Sequence, residues 1–591
     1  MNFNEELNRI KYKNNHSRNV LIAEIASFIL VIAVIFGIRV TFDALDMVGD
    51  ALQLKTELRG LVSCIKEKDY AGAEAARQNI DVITDELNST LDEPMMKMTT
   101  KIPVAGKYVS SLHDVVDMVD ITSQNIIKPA ILVLEQYPMS DLKVDDGFNV
   151  NVVSAYIHLL EDITPQVEEL SAKLDGLNIP MGDSGKIAEY IDKFTPILEA
   201  YKDAEPYFPL LTSFLGEGSD RTYLLAAQNS AEIRASGGFP GSIGTIQIRD
   251  GVLRIGDFES VYNVLSYNTP PGGNVTDQED ELFGFWMNYP RDACYNPDFE
   301  RVAYIWALAY ERNTGEPVDG VVSLTPMIIQ DLLGYIGSIT LSDGTELNGD
   351  NATRVLQNEL YFKYMSEGNE TSASSDMADA LFAETAKVTM SMLVSDFSLG
   401  RLKDYFNIFL EGAENRTIMM WMADEEEQEY ARIAGCAGGL NSDENNPKTG
   451  VYFSCSVPSK LGWYLNMDTN ISEPTLNDDG TRTYDVTVSL SNAIDNYAIR
   501  NGGGYILGNY NGAIKGFIHL FAPAGGTVSD FKASNGLHLY RDEYEGLELG
   551  YSLGVMVYPD SNITITYKVT TAQGVTTPLG VSSTPTLQGY R

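Results

Sequence analysis

Apolar and polar residues alternate in four different ways along this chain, and each rhythm predicts a different architecture. Residues 20–40, VLIAEIASFILVIAVIFGIRV, are almost continuously apolar. That length crosses a hydrocarbon core of ~30 Å as a helix. Glu24 and Arg39 sit at its two ends, where their side chains can reach the interface. From 41 to 216 apolar residues recur at three- and four-residue spacing, as in DALDMVGDALQLKTELRGLVSCIKEK and VVSAYIHLLEDITPQVEELSAKL. This predicts a helical bundle or stalk, punctuated at Pro103, Pro138 and Pro180.

Strand and helix patterns mix from 217 to 445. TYLLAAQ reads as a buried strand, and SIGTIQIRDGVLRIGDFES as two strands joined by a hairpin at Asp250-Gly251. PVDGVVSLTPMIIQDLLGYIGSITLSDG reads strand, helix, strand. DNATRVLQNELYFKYM reads as a helix with Asp350 at its N-cap, and RTIMMWMADEEEQEYARIAG as a strand entering an acidic helix start. From 446 to 591 the period is two, with turns at regular spacing, which predicts an all-β sandwich. The expected fold class is therefore an α+β multidomain chain. A tail (1–19), a transmembrane helix (20–40) and a helical region (41–216) precede a central α/β domain (217–445) and the sandwich.

Charge orients this plan. Arg9, Lys11, Lys13 and Arg18 precede the apolar segment, and Asp43, Asp46 and Asp50 follow it. The positive-inside rule then places the N-terminus in the cytoplasm and the bulk of the chain outside. GIRVTFDAL lacks a small-x-small cleavage site, so an uncleaved anchor is expected. The whole chain carries a net charge of −40, which argues against nucleic acid and anionic headgroups as general partners.

Several chemistries are excluded. The histidines are His16, His113, His158, His519 and His538, and none falls within 217–445. A Ser-His-Asp, Cys-His or His-rich metal site in the central domain is therefore ruled out. No glycine pattern forms a P-loop, and NDDGTRTYD lacks the final acid of a calcium loop and reads as a hairpin turn. The cysteines are Cys64, Cys294, Cys436 and Cys455, with no C-x-x-C spacing. Cys436 and Cys455 are close enough in sequence to be candidates for a disulfide, and independent buried thiols are the other reading.

Arginine, carboxylate and backbone amide chemistry remains. QNSAEIRASGGFPGSIG sets Arg234 beside Gly237 and Gly238 inside a strand–turn–strand. Asn229, Arg234, Gly237, Gly238, Arg291 and Arg354 are candidates to bind an anion. Arginine forks match phosphate or carboxylate, and glycine turns can present N–H groups. The same stretch also reads as a tight corner with a salt-bridged arginine. Asp292 and Asp319 are candidates to hold Mg²⁺ between phosphate oxygens. They also read as turn residues, as Asp298 reads as the cap of a helix starting near Phe299. No cofactor is otherwise implied.

QNSAEIRASGGFPGSIGTIQIRDGVL resembles the opening of a bacterial family, domain of unknown function 4012, which carries a pattern like QNNAELRPTGGFIGSYG. The resemblance continues through PRDACYNPDFERVAYIWALAYERNTGEPVDGVVSLTP and MMWMADEEEQEYARIAGCAGGL to VYFSCSVPSKLGWYLNMDTNI, over roughly 217–495. Ala235-Ser236 stands where the family often has Pro-Thr, and VPSKLGWYL is less glycine-rich than usual. The resemblance implies a membrane-anchored, extracytoplasmic protein of the bacterial cell envelope, with no known activity. YPRDACYN and EPVDGVVSLTPMIIQDLLGYIGSITL are faintly similar to LytR-CpsA-Psr proteins. Those transfer glycopolymers from polyprenyl-pyrophosphate carriers using arginines, aspartates and Mg²⁺. That similarity implies a phosphate contact for Arg291 and a Mg²⁺ contact for Asp292. Arg354 and Gln357 only partly echo the family's further arginine cluster.

Two functions follow as expectations. One is a binding or scaffold protein of the envelope. The other is a phosphotransferase or binder of a lipid-linked glycopolymer, with Mg²⁺ as its metal.

Overall fold

The computed structural model describes residues 50–102, 105–144, 147–176, 201–202, 204–265, 275–366, 372–396 and 402–591. The apolar segment 20–40 and the tail before it lie outside the described residues. Among the described residues no helix is long and apolar enough to cross a membrane. The chain divides into two compact units, with the break at Gly218/Ser219 and residues 397–404 grouped with the first.

The first unit is helical. Its main helices are α1 (Asp50–Glu67), α2 (Tyr70–Leu91), α3 (Ala105–Ile121), α4 (Lys128–Gln136), α5 (Val150–Gly176) and α6 (Phe208–Leu215). Leu54, Leu58, Leu61 and Ile65 form one stripe, and Ala73, Ile80, Ile83 and Leu87 another. These stripes pack with Val116, Val119, Ile127 and Ile131, so the three- and four-residue spacing is spent on mutual burial. Asp69 caps α2 by accepting a bond from the Gly72 amide (2.9 Å). α4 ends two residues before Pro138.

The second unit joins a mixed sheet to a sandwich. The mixed sheet contains β1 (Arg221–Asn229), β2 (Phe239–Arg249), β3 (Val252–Ile255), β4 (Gly320–Leu324) and β5 (Ile418–Met422). Within this unit they run in the order β3-β2-β1-β4-β5. β1 and β4 are parallel, with Leu224 opposite Val321, and the other pairs are antiparallel. A parallel pair needs a crossover, which α7 (Phe299–Thr314) supplies. Helices cover the strands, so β1 is buried along nearly its whole length and reads as a continuous apolar run. Asp250 and Gly251 both take positive φ (51° and 72°), which makes the two-residue turn between β2 and β3. α8 (Pro326–Ile336) follows β4, and α9 (Glu425–Ile433) follows β5 with Asp424 as N-cap.

The expected N-cap at Asp350 is not formed. Asn351 holds that position, and the segment expected as one helix passes through a π-helical stretch, Val355–Glu359. Its wider turn brings Gln357 inward.

Two sheets form the sandwich. The first contains β6 (Lys448–Cys455), β9 (Ile514–Phe521), β11 (Tyr540–Tyr544), β12 (Leu547–Val557) and β14 (Gly580–Ser583), in the order β11-β12-β9-β6-β14. The second contains β7 (Leu465–Ile471), β8 (Arg482–Asn492), β10 (Thr527–Ala533) and β13 (Asn562–Thr570), in the order β7-β8-β13-β10. Val451, Phe453, Ile518 and Leu520 meet Val486, Val488 and Ile565 between the sheets.

The alternate residues of the first sheet face the other way. Tyr452, Phe521 and Leu549 pack with Phe299, Val302 and Trp306 of α7 and with Leu224 of β1. The first sheet is therefore buried on both faces, and a single unit continues across residue 445. His519 shows the consequence. It is fully buried, its Nε2 donates to the Leu282 carbonyl (2.8 Å), and burial pushes its pKa down to about 4, leaving it neutral.

Asp298 caps α7 by accepting from the Glu300 amide (3.1 Å). Burial, with Glu300 nearby, pushes its pKa up to about 6 from 3.8. A carboxyl raised in this way favours the folded state when protonated. Its contribution is full below about pH 4 and is lost as the pH rises through about 6. Asp298→Asn keeps the capping oxygen, so the variant should gain on the wild type by up to about 3 kcal/mol across that interval. Denaturant melts at pH 4 and pH 7 measure it, and a constant gap between the two proteins would refute it.

Candidate functional site

β1 delivers its last residues, Gln228 and Asn229, to a loop that spans 230–238 and returns as β2. The register slips at this end: Ala227 faces Ser242, while Gln228 faces Pro240. The slip leaves Gly241 as the extra residue of a bulge and places Pro240, which has no N–H to donate, where the ladder is already broken. Gly237 sits at φ +110°, and a Cβ there would lie 2.2 Å from Gln228 Oε1. A Cβ on Gly238 would lie 2.4 Å from the Asn229 carbonyl. Both glycines are needed for close approach of the chain to itself.

Four amides at the glycine turn are spent internally. Ala235 N donates to Ser454 Oγ (2.8 Å), Ser236 N to the Cys294 carbonyl (3.3 Å), Gly237 N to the Arg234 carbonyl (3.0 Å) and Phe239 N to the Glu232 carbonyl (3.1 Å). These groups hold the loop against β6 and the turn at Cys294 and are not offered to a ligand. These four amides do not form the expected cradle, and here the turn is a tight corner.

Arg234 is 2% exposed. One terminal nitrogen donates to the Ile233 carbonyl (3.1 Å). The other lies 3.9 Å from Asp292 Oδ1, too far for a hydrogen bond. Nε is buried with no partner. The guanidinium stacks 4.5 Å from the centroid of Tyr295 and 5.9 Å from that of Phe239. Arg291 follows the same plan: its Nε is 3.4 Å from Asp292 Oδ2, and it lies over Tyr289 (4.9 Å) and Tyr262 (5.2 Å). Asp292 thus stands between two guanidiniums at ion-pair distances of more than 3 Å from each. Burial raises its pKa despite both arginines. For Arg234, burial alone would lower the pKa, but the facing Tyr295, Asp292, Cys294 and Glu232 hold it above the usual value.

A second buried ion pair adjoins the first. Lys460 is 3% exposed, pairs with Glu232, and lies 4.1 Å from the Tyr361 ring centroid and 5.0 Å from that of Tyr505. Asn229 donates to the Tyr361 hydroxyl (2.6 Å), and Gln357 Oε1 accepts from the Ala231 amide (2.7 Å). Both ends of the Gln228 amide, Ser230 Oγ and Gln357 Nε2 are buried without hydrogen-bond partners. Each such group left unpaired costs roughly 1–3 kcal/mol, so the protein concentrates unspent polar capacity on and against one loop.

The structure thus brings together Asn229, Arg234, Gly237, Gly238, Arg291 and Asp292. It does not bring Arg354, whose half-exposed guanidinium pairs with Glu359. It does not bring Asp319, which lies at the opposite end of β1. There Asp319 accepts from the Thr222 amide (2.6 Å) and faces Arg221 (3.5 Å). The metal role expected for Asp319 beside the arginines is corrected by this placement. The Cys436–Cys455 disulfide is also corrected, since all four cysteines are free. Cys436 Sγ donates to the Ala431 carbonyl (3.6 Å), while Cys455 lies on β6 against the Arg234 loop. Burial pushes both thiols up to about 12.

Sequence reasoning missed Lys460 and Tyr361. The one signal was a lysine inside the otherwise apolar LGWYL neighbourhood, 228 residues from its partner Glu232.

The fold and site together define an α+β unit in which a mixed sheet and a sandwich enclose a buried arginine–carboxylate group. Residues 218–361, which carry Arg234 and Arg291, match the family described as "Protein of unknown function (DUF4012)". The match stops short of residue 495 and shows no LytR-CpsA-Psr similarity. No curated protein and no solved structure matches.

Gly237→Ala should destabilise the second unit by about 1–3 kcal/mol, since a positive φ and a clash with Gln228 coincide. Gly241→Ala, where a Cβ meets nothing within 4 Å, is the matched control. Equal denaturant midpoints for the two variants would show that the corner is not constrained in this way.

Proposed function

We propose that this chain is a single-pass membrane-anchored, extracytoplasmic protein of the bacterial cell envelope that binds the anionic part of an envelope ligand at Arg234 and Arg291. The carrying observation is the incomplete partnering of Arg234: a buried guanidinium with an unpartnered Nε and, among the described residues, no carboxylate nearer than 3.9 Å. Desolvating an ion costs several kcal/mol, and a ligand phosphate or carboxylate would offset that cost with bidentate hydrogen bonds. The apolar segment 20–40 and its charge bias support the anchor and its orientation.

A transferase reading has one observation in its favour, the presence of Asp292 among the arginines. Asp292 is engaged between two cations, however, and Asp319 stands at the far end of β1. Binding is therefore the better-supported role, with a lipid-linked glycopolymer precursor as the ligand.

Native mass spectrometry of the full chain in detergent, with lipid extraction, tests this. Wild type and Arg354→Gln should carry a polyprenyl phosphate or pyrophosphate, and Arg234→Gln and Arg291→Gln should lose it. Arg291 is nearer the surface, so its variant answers even if Arg234→Gln folds poorly. A wild-type protein that is folded and empty would sink the proposal.

A further inference from the structure

The turn before Arg291 displays aromatic rings in a way its own packing does not require. Phe285 is 60% exposed and Trp286 49%. The Trp286 and Tyr289 ring centroids are 5.9 Å apart and tilted by only 33°. Phe285 meets both rings edge-on at 6.1 Å. Large apolar rings side by side at a surface mark a contact site more often than isolated ones do.

The display is rigid. Leu282, Phe283 and Met287 are fully buried beneath it. Tyr289 N donates to the Trp286 carbonyl (2.9 Å), and the Trp306 indole donates to the Pro290 carbonyl (2.9 Å). Gly284, at φ +90°, makes the bend that turns Phe285 outward, with Phe517 packed behind it. The preceding helix is fixed by a capping box of Thr276 and Glu279. Rings held this firmly lose little entropy when a partner stacks on them.

Charge and polarity select the partner. Asp277 and Glu281, exposed on the adjoining helix of a chain with net charge −40, disfavour a polyanionic polymer lying along the rings. Asp280 and Asn288, hydrogen-bonded to each other, border the rings and can bond hydroxyl groups. A pyranose ring has one face of C–H groups that stacks on an aromatic ring and a hydroxyl edge that needs such neighbours. The spacing of Trp286 and Tyr289 is comparable to that of successive sugars in a β-linked chain. The strip also leads inward: Arg291 lies over Tyr289 and Tyr262, the Tyr262 ring is 6.2 Å from Phe239, and Arg234 lies over Phe239.

We infer that Phe285, Trp286 and Tyr289 form a stacking platform for the pyranose rings of an uncharged envelope glycan, beside the anion site of Arg234 and Arg291. The inference deepens the proposed function and rests on it for the location outside the cell, but the platform binds sugar without the anion.

The test is sedimentation of the full chain, held in nanodiscs, with cell-wall sacculi stripped of anionic polymers. Wild type should sediment, and a β-1,4-linked N-acetylglucosamine hexamer should release it. Trp286→Ala/Tyr289→Ala should bind about tenfold more weakly or worse, and Trp286→Ala alone, at a ring 49% exposed, should weaken binding with little change in melting temperature. Arg234→Gln should keep sacculus binding to within about twofold, so a failure of the anion site shows separately. Wild type that stays in solution, a double variant that binds like wild type, or sedimentation that the hexamer does not reverse would each overturn the platform.

Discussion

The guanidinium of Arg234 is taken out of water by three parts of the chain at once, and the second unit is organised around meeting that cost. The loop 230–238 carries it, the turn at 290–295 supplies Asp292 and Tyr295, and β6 closes it off through Ser454 and Cys455. A buried cation demands counter-charge, hydrogen bonds or aromatic faces. Here all three are present, yet incomplete. The shortfall is one long ion pair and one unpartnered nitrogen.

This demand explains why the mixed sheet and the sandwich do not separate. A sandwich sheet normally has one core face and one wet face. In this protein the outer face of the first sheet, through Tyr452, Phe521 and Leu549, completes the core beside α7, and Lys460 beyond its end completes the second ion pair. Thr584 Oγ1 donates to the Ala235 carbonyl (3.0 Å), so even the last strand helps hold the arginine loop. The DUF4012 match ends at Tyr361, yet groups needed to bury Arg234 come from beyond residue 450.

The site has a graded character from surface to interior. Exposed rings lie at 285–286, and buried arginines follow at 291 (9% exposed) and 234 (2% exposed). Polar orphans at Gln228, Ser230 and Gln357 line the loop behind it. Stacking tolerates many ring chemistries, whereas a buried guanidinium discriminates sharply for an anion. Such a gradient suits a ligand with an extended uncharged part and a charged end.

Local physics was legible in the sequence. Three- and four-residue spacing specified the helices of the first unit, and period-two alternation specified the sandwich strands. Asp250-Gly251 announced a turn and Asp298 a cap, because each acts within a few residues of itself. Arg234 stood out because an arginine beside a glycine turn in an acidic chain is hard to account for as solvated surface. The tertiary structure alone decided which charges meet. Asp319 and Asp292 look alike as Asp beside small residues, but parallel pairing with β4 sends Asp319 to the end of β1 away from Arg234. Cys436 and Cys455 are near in sequence but attach to different elements. Lys460 and Glu232 pair across 228 residues. Secondary structure follows from short-range sterics and periodic burial, which a sequence displays directly. Ion pairing in the interior depends on long-range strand register and on which faces are desolvated, and both are set only when the whole unit has packed.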